Sequence, residues 1–410
     1  MNRALMFTSI LAAAVPFAAF AHGDGDGHDE HQDAAMSPDH HAMHDQMASK
    51  PLEWYGAVYM SLENRNPGTG GATNTFMTSD GTTLGLRGAI PLNYDLKGVW
   101  QVESEINLDQ FGSGNTSELA SGHNSFVGLQ GDWGTVLAGK HNTPFFDATI
   151  QFDLFHHIAG DMRSILGTMP GVNSGSGADD PNNAFNTPAS NMLMYKSQSY
   201  NGVSFSVGYF GFNETRAKDE NSVTSATDGT KPRAFGGNVK YQAGPLTLVG
   251  AYEQHKNYDH YTYTDTGTTP ETVTEESIEK TEGMVIGGMY HFNHNKTMVG
   301  AFFENLKLTN PANVTYDHTS RKAFYVNAQQ RVDAWKFKAA VTKAGDMMDN
   351  DGATEFALGV GHELGAKAEV YVAYTMIKNK DNGTYGNDAV APFQAGSDPK
   401  TVSTGVIFNF

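Results

Sequence analysis

From Leu52 to Phe410 the chain repeats one plan: segments of about ten residues alternate in polarity, and the connections between them are alternately short and long. In the opening segment, LEWYGAVYMSLE, one face carries Leu52, Trp54, Gly56, Val58, Met60 and Leu62. The other carries Glu53, Tyr55, Ala57, Tyr59, Ser61 and Glu63. That is the two-residue period of a β-strand. A helix would scatter the apolar residues around its circumference, and Gly56 in mid-segment would weaken it further. The same pattern predicts strands near 81–91, 97–108, 123–131, 134–141, 190–198, 202–212, 233–243, 245–256, 281–292, 296–307, 320–333, 334–344, 353–364, 367–378 and 399–410, sixteen with the first.

The connections carry the stronger constraint. Short links with turn chemistry, Asn93-Tyr94-Asp95, Asp132-Trp133, Ser199-Tyr200-Asn201, Asn293-His294-Asn295 and Gly365-Ala366, join alternate pairs of segments. The links between are longer and rich in Gly, Asn, Asp and Thr: 64–80, 109–122, 142–189, 213–232, 257–280, 308–319, 345–352 and 379–398. A transmembrane barrel sorts its loops in this way, with short turns on the periplasmic side and long loops outside. A β-sandwich would not sort them, and its outer face would be polar. Here the second face is apolar, as in Leu84, Leu86 and Ile90, or Trp335, Phe337, Ala339 and Val341. Aromatic residues near the strand ends, among them Trp54, Trp133, Tyr241, Tyr290 and Trp335, suit interfacial girdles. The expected fold is an all-β transmembrane barrel of sixteen antiparallel strands, closed so that lipid meets no unpaired backbone group.

Upstream, Arg3, the apolar run Ala4–Phe20 and the Ala19-Phe20-Ala21 site read as a signal peptide over 1–21. No later run is long and apolar enough for a membrane helix. Residues 22–50 read as a disordered periplasmic tail rich in His, Asp and Met, and 51–410 as the barrel. In the tail, His22, His28, His31, His40, His41 and His44, with Met36, Met43 and Met47, are donors suited to Cu, Zn or Ni. The plainer reading is a solvated arm that binds metal adventitiously. The chain has no cysteine, which removes disulfides and thiolate chemistry, and its net charge of -18 argues against nucleic acid as a partner. No zinc-protease, phosphate-loop, nucleophile-elbow or dinucleotide motif occurs. Asp346, Asp349, Asp351 and Glu355 lie close together, but Met347 breaks the spacing of a calcium loop. No enzyme is expected, and no cofactor beyond a divalent metal held by the tail or loosely by external loops.

Several runs, in order, resemble a known family. They are Trp54-Tyr55-Gly56; Leu84-Gly85-Leu86-Arg87-Gly88 followed by Leu96 to Glu103; Gly139-Lys140-His141-Asn142-Thr143-Pro144; and the terminal Phe410. Together they resemble the trimeric general diffusion porins of Gram-negative outer membranes, of the neisserial and related proteobacterial type. The resemblance implies a homotrimer in outer-membrane lipid, recognition of Phe410 by the barrel-assembly machinery, and a third loop folded into the lumen. It also implies a water-filled channel for ions and small hydrophilic solutes. The chain departs from the family in having Lys140 where Arg is usual, no basic residues over Val406 to Asn409, and the His-rich tail.

A pore constriction works through fixed charges at close range in a narrow, partly low-dielectric passage. Asp147, Asp153 and Asp161, within or beside the more structured run Phe145 to Leu166, are the loop-side candidates, with solvated loop charges as the plainer alternative. Arg87, Lys140, Glu103, Glu105 and Arg331 are the wall-side candidates, and Arg321, Lys336 and Lys338 share the inward parity. Arg87 facing lipid would cost about 2–4 kcal/mol near the midplane. The acidic balance predicts a modest cation preference. The competing reading makes the His-rich tail the functional part, with the barrel as its anchor.

Overall fold

The computed structural model describes residues 50–79, 81–110, 123–168, 185–211, 233–256, 260–265, 272–277, 280–309, 318–347, 349–386 and 394–410. The expected signal peptide and the His-rich tail, through residue 49, lie outside them. One closed antiparallel sheet dominates. Its strands are β1 (Glu53–Asn66), β2 (Asn74–Thr78 and Thr83–Pro91), β3 (Lys97–Glu105), β4 (Ser125–Gly131), β5 (Gly134–Asn142) and β6 (Pro188–Lys196). They continue as β7 (Val203–Phe210), β8 (Arg233–Ala243), β9 (Leu246–Lys256), β10 (Lys280–Phe292) and β11 (Thr297–Thr309). The last are β12 (His318–Val332), β13 (Trp335–Ala344), β14 (Ala353–Glu363), β15 (Ala368–Asn379) and β16 (Lys400–Asn409). The sheet comprises 17 strand segments, and since both pieces of β2 pair with β1, the barrel has sixteen strands.

Each strand pairs with its sequence neighbour, and β16 returns to β1 from Ala57↔Asn409 to Asn66↔Lys400. The seam continues as Phe410 N donates to Gly56 O at 3.0 Å and Gly56 N to Phe410 O at 3.3 Å. Gly56 is required there, because a Cβ would lie 2.4 Å from Thr83 O and 2.6 Å from the Phe410 ring. The short links take the positive φ values that tight hairpins demand, at Tyr94 and Asp95, at Asn201 and Gly202, and at Asn293, His294 and Asn295. Strand also forms within links read as loop, first at Asn74–Thr78 within 64–80. His260–Asp265 pairs with Thr272–Ser277 in a hairpin inside the link read as loop, because HYTYTD and TVTEES have no continuous apolar face to announce them.

Strand parity divides the barrel into two surfaces. Trp54, Leu62, Val102, Val127, Phe324 and Leu358 are exposed on the outward side, where lipid lies. Tyr55, Ala57, Tyr59, Ser61 and Glu63 of β1 are buried on the inward side. Part of that side is covered by the link after β5, which packs against Ala57 and Tyr59 among others. Its helix α1 (Pro144–Thr149) is started by Pro144 and capped by Thr143 Oγ1, which accepts from Phe146 N at 3.2 Å. Two single 3₁₀ turns follow, Ile150–Phe152 and Met162–Ser164. Phe145, Phe152, Phe155, Met162, Ile165 and Leu166 are fully buried in one cluster with Phe302, Tyr325 and Ala357. Those partners are inward-facing strand residues. The described part of the third loop, 143–168 and 185–187, is therefore inside the barrel, held there by an apolar core.

Candidate functional site

Polar anchors fix the course of the loop. Asn238 Nδ2 donates to Pro144 O at 2.6 Å, and the Phe185 ring stacks on His255 with centroids 4.7 Å apart. Farther along, Phe152 O accepts from Tyr325 Oη at 3.3 Å and from Asn327 Nδ2. Arg321, fully buried on β12, donates Nη1 to Ile165 O at 2.8 Å and to Tyr385 Oη at 2.9 Å, and Nη2 to Glu304 Oε1 at 2.5 Å. The other Glu304 oxygen accepts from Gly167 N at 3.0 Å. At the turn of the loop Gly160 comes so close to β14 that a Cβ would sit 2.6 Å from Ala357 Cβ. His157 reaches β1, its ring 5.8 Å from that of Tyr59. The loop thus crosses from β5 to the inner faces of β8–β12, β14 and β1.

The inner face of β1–β4 carries a charged network. Arg87 Nε meets Glu53 Oε2 at 3.2 Å, and its guanidinium lies 4.6 Å from the Tyr55 ring centre. Tyr55 Oη donates to Glu103 Oε2 at 2.7 Å. His123 bridges onward, 3.5 Å from Glu103 Oε1 and 3.2 Å from Glu105 Oε2. Arg87, Glu103 and Glu105 are therefore links in one chain, whose connectors Tyr55 and His123 the sequence reading missed. Acid predominates on this wall: Glu53, Glu63, Glu103 and Glu105 stand against Arg65, Arg87 and the rim residue Lys97.

The other expected residues fall in different places. Asp147 lies on α1 and pairs with Lys196 of β6 at 2.9 Å, whose Nζ is also 3.4 Å from His141 Nε2. Lys140, expected to oppose the loop acids, is in register with Ser125 and has the parity of Val136 and Ala138 rather than of His141. Lys196 has the inward parity of Met192 and Met194, a signal that would have found it. Arg331 pairs with Glu363 at 2.5 Å beside Lys336, Lys338 and Glu369, next to the short Asp333-Ala334 turn. That cluster lines the short-turn rim.

Asp153 and Asp161 turn into the loop's own fold rather than toward the passage, with side chains 0% and 1% exposed. Asp153 accepts from Phe155 N at 2.9 Å. Asp161 caps the Met162–Ser164 turn through Arg163 N at 2.9 Å and takes a two-pronged bond from the Arg163 guanidinium, at 3.0 and 2.8 Å. Donor atoms of Asp153, His156 and Asp161 lie within 4.8 Å of one another, and Arg163 pairs with Asp161 among them. Burial alone would raise Asp161, but the charge of Arg163 and the bond from His156 hold it well below the usual carboxylate range. Burial, then the charge of Asp161, pushes Asp153 well above that range.

Those opposite directions give opposite outcomes. Asp161 contributes stability above the ordinary carboxylate pKa and loses it as pH falls through its lowered folded value. Asp153 has the reverse sign, favouring the fold when protonated and losing that contribution as pH rises through its raised value. At neutral pH, D161N is expected to destabilise the fold by about 1.5–3 kcal/mol, because it removes the carboxylate that Arg163 bonds with both prongs. D153N, which keeps an acceptor for Phe155 N, is expected to be neutral or stabilising. Thermal unfolding of both variants checks the asymmetry.

Comparison with known proteins places this geometry among similar chains. A family profile described as Gram-negative porin matches residues 8–382. Outer membrane porin protein 32 of Delftia acidovorans is 24% identical over 364 residues, covering 88% of this chain and 93% of that protein. An outer membrane porin protein of Bordetella pertussis is 31% identical over 180 residues, 43% of this chain and 42% of that one. Among solved structures, the anion-selective porin from Comamonas acidovorans superposes with a TM-score of 0.67 at 22% identity, over 88% of this chain and 99% of that one.

Proposed function

The chain belongs to the Gram-negative porin family and is an outer-membrane channel protein, and from that premise we propose that it passes ions and small hydrophilic solutes passively, with a modest cation preference. The observation that carries the preference is the acid excess on the inner face of β1–β4, where Arg87 is answered by Glu53 and flanked by Glu103 and Glu105. A passage beside fixed carboxylates concentrates cations, most strongly at low salt. The Comamonas acidovorans porin is described as anion-selective, so likeness of fold does not set the sign. Reversal potentials across planar bilayers under a KCl gradient are the test. Cation preference is expected, with E105Q moving the potential toward zero, while clear anion selectivity contradicts the proposal.

Vibrio cholerae OmpT, a fold neighbour with a TM-score of 0.58, is described in a trimer form, and a homotrimer is proposed here on that support and the sequence resemblance. Recognition of Phe410 by the assembly machinery belongs to the same proposal. A second reading rests on the six tail histidines, His22 to His44, as ligands for Cu, Zn or Ni, with the barrel as anchor. Deleting residues 22–50 separates the two. A channel keeps its conductance without them, whereas a metal-handling protein loses its metal phenotype.

A further inference from the structure

Charged residues of inward parity are sorted along the barrel axis. In the long-loop halves of their strands stand Glu63, Glu103, Glu105, Glu253, Glu304 and Glu355. Among the described strand residues, the fixed cations of inward parity in that half are Arg65 and Arg321, which pair with Glu63 and Glu304. The short-turn halves are reversed. Lys97, Lys196, Lys240, Arg331, Lys336 and Lys338 have inward parity there, with Arg87, against Glu53, Glu363 and Glu369. Lys336 lies 2.9 Å from Glu363 and 2.7 Å from Glu369, with Arg331 on the first acid and Lys338 on the second. Three cations thus share two carboxylates, and Lys97 and Lys240 extend the excess around the mouth, while Lys196 is offset by Asp147 of α1. Charges of outward parity lie across the sheet, facing lipid, and the turn tips are mixed, with Asp95, Asp132 and Asp333 against Lys296 and Lys367.

A collar of one charge sign admits its counter-ion and excludes the co-ion where it is narrow on the scale of the Debye length, about 10 Å at 0.1 M salt. Two collars of opposite sign in series do what neither does alone. With the external side positive, cations enter through the acidic outer half while anions enter through the basic inner half, and both accumulate between. With the external side negative, each species must enter through the half that repels it, and the passage is depleted of carriers. We propose that the barrel is an axially polarised channel, a cation-selecting outer half in series with an anion-selecting inner collar, that passes more current when the external side is positive. Lys240, Arg331, Lys336 and Lys338 are its specificity-determining residues at the inner end. The proposal rests on the passive-channel function and adds a direction to it.

The test records single-channel currents of the purified full-length protein at equal voltages of either sign in symmetric KCl. The chain has no cysteine, so a biotin on Lys367→Cys, exposed beside the short turn Gly365-Ala366, marks the inner end alone. Streptavidin added to one chamber then reports each channel's orientation. The ratio of the two currents is expected to be about 1.5–3 in about 0.03 M KCl and to fall toward 1 in about 1 M, where the Debye length is about 3 Å. K336Q/K338Q should bring the low-salt ratio close to 1, thermal unfolding confirming that the barrel is intact. K97Q/K240Q, elsewhere on the collar, provides a second variant should the first fail to fold. Discrete steps of equal size at both signs in low salt overturn the axial sorting and leave the channel function standing. A larger current with the external side negative, or an unaltered ratio in a folded variant, does the same. A folded barrel without steps overturns the channel function and this proposal together.

Discussion

Replacing Arg321 with Ala is expected to destabilise the folded loop by about 3–5 kcal/mol and to enlarge and roughen the single-channel current. The side chain is fully buried and serves three partners, Glu304, Ile165 O and Tyr385. Removing it strands the Glu304 carboxylate away from water, with Gly167 N left as its bonded donor. It also frees the loop carbonyl at Ile165 and the tyrosine that reaches in from residues 380–386. R321K keeps the charge but not the fork, so it should fall between wild type and Ala. Conductance histograms with thermal unfolding separate the outcomes: a destabilised protein with unchanged current would show that Arg321 supports the wall and not the loop.

The second large effect is Phe152→Ala, expected to cost about 3–5 kcal/mol through lost burial and the cavity left behind. Phe152 is 0% exposed, edge-on to Phe302 with centroids 5.5 Å apart, and its own carbonyl is held by Tyr325 and Asn327. The ring is the apolar counterpart of the Arg321 clamp, on the same loop and the same stretch of wall. Because both variants release one element, their effects should not add, and R321A/F152A should cost clearly less than the sum. Additive costs in a double-mutant cycle would mean that two independent structures had been broken.

The barrel was legible because its two determinants are local. Period-two alternation needs only neighbours, and the hairpin signals Ser199-Tyr200-Asn201 and Asn293-His294-Asn295 announce themselves in sequence. Parity alone put Arg87, Glu103 and Glu105 on the inner face and could have put Lys196 there too. What stayed hidden was the orientation of side chains within an irregular segment. Asp147, Asp153 and Asp161 look alike in sequence, yet one reaches the wall lysine and two turn inward to backbone donors and Arg163. That choice is made by loop turns with no period to read. The Glu304–Arg321 clamp was missed for a related reason, since its partners Ile165 and Tyr385 lie 156 and 64 residues away.

A water-filled channel through the barrel is the property on which the proposed function depends most. Single-channel recording of the purified full-length protein over a series of KCl concentrations tests it most directly. A water-filled pore predicts discrete steps whose conductance rises in proportion to the conductivity of the bulk solution. A folded barrel that gives no steps, or a conductance that saturates at low salt, would contradict it.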